Sequence, residues 1–151
     1  MATKTAETRG DKATRELIDG LNQDLRGEFQ AVIMYRLFAS MVQGPYRQEL
    51  RTFFANEIPE ELLHAQILAD KIAALGGTPA AEPSPVTVVA EAKQMLQVAL
   101  EAEVETIDRY VRRRKQAEEV GEHGLAAQFD DIISDETHHR DELRQMLARW
   151  P

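Results

Sequence analysis

Three clusters of helix breakers divide this sequence into four long runs, and that division constrains the fold more than anything else in it. The clusters are QGPY at 43–46, LGGTPAAEPSP at 75–85 and GEHG at 121–124. A Gly pair followed by Pro is a helix stop, and three prolines between 79 and 85 are incompatible with helix. Each run has a helical apolar stripe of period near 3.6. The first, over 13–42, has Leu17, Leu21, Leu25, Val32, Tyr35 and Ala39. The second, to Leu75, has Leu50, Phe53, Phe54, Leu68, Ile72 and Leu75. The third, from about Val88 to Glu119, reads as Leu96, Leu100, Val104, Ile107 and Val111. The fourth has Leu125, Phe129, Ile132, Ile133, Leu143 and Met146. No run alternates as a strand would. Short first and third links make two antiparallel hairpins, and the long middle link lets the second hairpin cross over. The expected fold is all-α: a four-helix bundle with one long crossover between helices two and three. Pro59, inside the second run, is expected to kink or bulge it.

Every stripe is interrupted by ionisable residues. Glu28 stands between Leu25 and Val32, and Glu61 and His64 between Phe54 and Leu68. Glu101 stands beside Leu100, and Glu136 and His139 between Ile133 and Leu143. In an antiparallel hairpin, residues equidistant from the turn face each other. Glu28 and Glu61 are equidistant from QGPY, and Glu101 and His139 from GEHG, so all six are expected near mid-bundle. Burying several carboxylates without compensation costs many kcal/mol, and two imidazoles cannot neutralise four of them. No Lys or Arg is read on these stripes. Either the stripes line a solvated groove or a proton-sharing cluster, or cations sit among them. Four carboxylates and two imidazoles form a hard, oxygen-rich donor set, suited to two iron or manganese ions better than to zinc.

Composition narrows the alternatives. With 18 Lys and Arg against 26 Asp and Glu, the net charge is −8, which argues against a nucleic-acid-binding body and suits small cations. Cysteine is absent, which removes disulfides and thiolate sites. No run reads as a membrane span or a signal peptide, so cytoplasm is the expected location. Residues 1–12 are expected to form a nearly neutral flexible tail, and 13–151 one domain.

The stretches GEFQAVIMY (27–35), EELLHA (60–65), ALEAE (99–103) and DETHH (135–139), with the crossover between them, resemble the bacterioferritin branch of the ferritin-like superfamily. By that resemblance Glu28 and Glu101 would be terminal ligands of two iron ions. Glu61 and Glu136 would bridge them, and His64 and His139 would give each iron one nitrogen. Tyr35 matches the tyrosine that the family keeps beside its site; it also reads as a core aromatic. Glu60 and Asp135, each just before a Glu-x-x-His motif, are expected to accept the free ring N–H of the opposite helix's histidine, unless they are ordinary surface acids. His138 is expected at the surface or a subunit interface, and His123 in the turn, without a role.

Three features qualify the resemblance. Leu62 stands where bacterioferritins have their haem-binding methionine, so no haem is expected. The sequence ends at MLARWP without room for a fifth helix, which is similar to the twelve-subunit mini-ferritins, the Dps group and its relatives. Dps proteins proper build their iron site between subunits, whereas here one bundle supplies every ligand. The resemblance thus implies a ferroxidase and iron-storage or detoxification protein. It would oxidise Fe(II) with O2 or H2O2 and deposit Fe(III) in a homo-oligomeric cage, of twelve subunits rather than twenty-four. The alternatives are a rubrerythrin-like di-metal peroxidase and a DNA-protecting Dps-type protein.

Overall fold

The computed structural model describes residues 8–151. Four helices make up its regular structure: α1 (Arg9–Met41), α2 (Arg47–Ala74), α3 (Ala92–Glu119) and α4 (His123–Leu147). Helix α1 packs against α2, α3 against α4, and α1 against α3. No described helix is long and apolar enough to cross a membrane.

The ends of the elements follow local chemistry. Helix α1 begins earlier than the expected tail boundary allows, because Thr8 and Asp11 form a reciprocal capping box. Residues 9–12 are therefore helical, and residues 1–7 of that tail lie outside the described residues. Helices α2 and α3 close in the same way. Gly76 and Gly121 have φ of +84° and +82°, and the next residue's N–H returns to a carbonyl of the last turn, Gly77 to Ile72 and Glu122 to Ala117. Helix α2 runs without interruption through Pro59. Helix α3 starts at Ala92 rather than Val88, since Pro85 and the β-branched run after it hold the chain extended. His123 is the first residue of α4 rather than part of the turn.

The crossover is fastened along one face of α1. Asn22 donates to the Thr78 carbonyl and accepts from the Ala80 N–H, at 3.1 and 2.7 Å. The Arg26 carbonyl accepts from Ser84 N–H at 3.0 Å, and Gln30 donates to the Pro85 carbonyl at 2.7 Å. Residues 22, 26 and 30 are one turn apart, so an extended strap can follow them.

The buried positions of all four helices follow spacings of three and four residues, the coiled-coil seam of a bundle. They form two apolar clusters. One gathers Leu17, Leu21, Leu25, Leu68, Ile72, Tyr110 and Phe129. The other gathers Met34, Tyr35, Phe38, Phe54, Leu96 and Leu143. In α3 the buried residues are Met95, Leu96, Ala99, Glu103, Tyr110, Arg113 and Ala117. This corrects the expected stripe: Leu100, Val104 and Ile107 lie half-buried on a flank, and Val111 is exposed. The inward seam of α3 is simply less apolar than its flank.

Arg113 and Arg109 explain part of that. Both reach across to Asp24, which is wholly buried in α1; Arg113 bonds it at 2.7 and 3.3 Å, and Arg109 Nε stands 3.4 Å away. Gly20 and Gly27 make room for them. A Cβ on Gly20 would lie 1.8 Å from Arg113 Nη1, and one on Gly27 2.5 Å from Arg109 Nη2. In an ordinary helix interior Gly→Ala stabilises by about 0.5–1 kcal/mol. Here Gly20→Ala should destabilise, because it displaces the guanidinium from a buried carboxylate. Asp24→Ala should cost roughly 3–5 kcal/mol by stranding buried charge. Urea unfolding of the two variants and their double mutant should give non-additive losses, since both break one pair.

Candidate metal centre

Between the two apolar clusters the seam turns polar on every helix. Helix α1 contributes Glu28, α2 contributes Glu57, Glu61 and His64, α3 contributes Glu103, and α4 contributes Glu136 and His139; all are buried. They form two groups whose donor atoms lie within 4.8 Å of one another: Glu28, Glu61, His64 and Glu136, and Glu57, Glu61, Glu103 and His139.

The two imidazoles organise the site. His64 Nδ1 faces inward, 2.8 Å from Glu136 Oε1, 3.5 Å from Glu61 Oε2 and 3.8 Å from Glu28 Oε1. His139 Nδ1 faces the same interior, 3.4 Å from Glu136 Oε2 and 3.7 Å from both Glu61 Oε1 and Glu103 Oε1. Glu61 and Glu136 therefore each turn one oxygen toward each histidine, the disposition of a carboxylate that spans two cations. The outward nitrogens meet the acid that precedes the other helix's motif. His64 Nε2 lies 3.2 Å from Asp135, and His139 Nε2 lies 2.5 Å from Glu60. A carboxylate there accepts a hydrogen bond from the Nε2 proton and turns Nδ1 toward the interior. Tyr35 donates its hydroxyl to Glu103.

Burying so many carboxylates side by side is electrostatically costly. Burial, then the charges of Glu61 and neighbouring carboxylates, holds the Glu28 and Glu136 carboxyls well above their ordinary range. Burial alone would lower His64, yet its contacts with Glu136 and Glu61 outweigh that and raise it to about 10. His139 is raised by Glu103, Glu136 and Glu57 against the same burial effect. Glu103 moves the other way: contacts with Glu136, His139 and Tyr35 overcome its burial and lower it. Even so, Glu28 Oε1, Glu57 Oε2, Glu61 Oε1, both Glu136 oxygens and both Nδ1 atoms are buried without a hydrogen-bond partner. Buried polar atoms are normally satisfied, so this concentration of inward-facing orphans fits a centre that could hold metal ions. A narrow pocket lined by Gly27, Gln30, Ala31, Thr106 and Arg109 reaches Glu28, Glu61, Glu103 and Glu136 from the α1–α3 side.

Five of the six expected ligands converge here, and Glu101 does not. It is exposed on α3, lining a shallow surface pocket with Glu105 and Thr87. Glu103, two residues on, is turned inward instead, because the α3 seam runs through Ala99, Glu103 and Tyr110. Glu57 was also missed, although it lies one turn before Glu61 on the line from Phe54 to Leu68. His138 and His123 are exposed. Glu103→Ala should lower divalent-metal binding by tenfold or more, about 1.4 kcal/mol, while Glu101→Ala should leave it unchanged. Equilibrium dialysis with Mn(II) checks both.

Residues 18–151 match the family model of the ferritin-like domain. A bacterioferritin from Streptomyces coelicolor is 32% identical over 133 residues, which are 87% of this chain and 80% of the relative. The crystal structure of a ferritin-like, diiron-carboxylate protein from Bacillus anthracis is 45% identical, covering 89% of this chain and 97% of that one, with a TM-score of 0.88. The dodecameric thioferritin of Bacteroides fragilis, 24% identical and covering 89% of this chain and 86% of that one, shares the fold with a TM-score of 0.82. With its four-helix bundle and its buried carboxylate and histidine groups, the chain belongs to the ferritin-like family.

Proposed function

We propose that each bundle binds two Fe(II) ions as substrate and oxidises them to Fe(III) with O2 or H2O2. The single observation that carries this reading is the paired reach of Glu61 and Glu136, each offering one oxygen to either half of the centre. The bound ions supply the redox chemistry: each Fe(II) gives up one electron, so two reduce one H2O2 with two protons to two waters. Manganese is the alternative metal for the same donors.

The residues of this chain bind, orient and neutralise. Glu28 and Glu103 close the two halves from α1 and α3. Asp135 and Glu60 hold the imidazole rings with Nδ1 inward, and Tyr35 steadies Glu103 through its hydroxyl. Anionic oxygen donors favour the higher charge of Fe(III), which lowers the reduction potential and makes oxidation more favourable. The flanking apolar clusters keep the rest of the interior dry. The kinship with bacterioferritin supports iron as the metal and storage or detoxification as the purpose. We assign the bundle to a homo-oligomeric cage in the cytoplasm, of twelve subunits rather than twenty-four, as in the dodecameric thioferritin that shares its fold.

Glu61→Ala combined with Glu136→Ala should abolish rapid Fe(II) oxidation, read from the ferric absorbance in stopped flow, while circular dichroism stays helical. Unchanged oxidation in that variant would overturn the assignment. Native mass measurement of iron-loaded protein tests the cage.

A further inference from the structure

The two halves of the centre differ by one carboxylate. Helices α2 and α4 carry matching runs, Glu60, Glu61 and His64 against Asp135, Glu136 and His139. One turn earlier the match fails, because α2 has Glu57 where α4 has Ile132. Ile132 is buried in the apolar cluster around Phe129. Glu57 is only 8% exposed, and it faces the half that contains Glu103 and His139.

Its surroundings do not account for it as a structural acid. Its Oε2 is buried without a hydrogen-bond partner. That oxygen stands 2.9 Å from His139 Nε2, but the same nitrogen has Glu60 at 2.5 Å, and one N–H cannot serve two carboxylates fully. Glu57, Glu61, Glu103 and His139 each offer one ligand atom, and these four atoms lie within 4.8 Å of one another. Among the described residues, no additional acid joins Glu28, His64 and the two shared carboxylates in the other half.

Resting on the two-cation reading above, we propose that Glu57 is a further protein donor of the Glu103–His139 half. It makes that half the tighter cation position, so the bundle loads its two cations in a fixed order. Hard divalent cations gain affinity with each anionic oxygen, and a buried position screens that gain little. Without Glu57, near-symmetric halves would fill together.

Anaerobic titration of the metal-free full chain with Co(II) tests this, followed by visible absorption and by competition with a chromophoric chelator. Two steps are expected, the first about tenfold or more tighter than the second. Glu57→Gln keeps the side-chain volume and should weaken the first step by about tenfold, leaving the second in place. Glu28→Ala should remove the weaker step and keep the tighter one. A Glu57→Gln protein that titrates like the wild type overturns the inference, as does a Glu28→Ala protein that loses its tight step. Two cobalt ions bound with equal affinity overturn this inference alone, whereas a chain that binds no cobalt overturns the two-cation reading beneath it.

Discussion

Five carboxylates and two imidazoles enclosed between two apolar clusters set the terms for the rest of this molecule. Such a group is costly in a dry interior, and mutual repulsion adds to the cost of burial. Burial and the neighbouring carboxylates hold Glu28 and Glu136 well above the usual carboxylate range, and contacts with the surrounding glutamates raise both histidines. Many of the inward donor atoms are nevertheless left without a hydrogen-bond partner. The fold tolerates the strain because the helices are long and their apolar seams continue on both sides.

Positioning comes from rigid helices rather than loops. A seam of three- and four-residue spacing brings donors from all four helices together, and the outward acids on α2 and α4 lock each imidazole from across the bundle. The crossover strapped along α1 keeps the two hairpins in register. Below the centre, the grip of Arg109 and Arg113 on Asp24 ties α3 to α1 close to Glu28. The same seam that lines the metal centre thus carries a buried ion pair, made feasible by Gly20 and Gly27.

Much of this was legible beforehand where apolar residues mark the seam. In α2 and α4 the strong hydrophobes Phe54, Leu68, Phe129 and Leu143 bracket Glu61, His64, Glu136 and His139, so phase and chemistry agree. In α3 they disagree. Its inward positions include Ala99, Glu103 and Arg113, while Leu100, Val104 and Ile107 occupy the flank, so the most apolar line points one residue off and selects Glu101. Glu57 was hidden for a different reason: an acid between Phe54 and Glu61 reads as a helix-surface residue until its neighbours are known.

The order of the four helices, the crossover and the convergence of two Glu-x-x-His motifs were determined by the sequence alone, because breakers and apolar spacing act locally along the chain. Tertiary structure decided which glutamate of α3 faces inward and that a fifth carboxylate joins the centre. Helix rotation is set by the sum of contacts with the neighbouring helices, here including the ion pairs of Arg113 and Arg109 with Asp24, and no local stretch contains that sum.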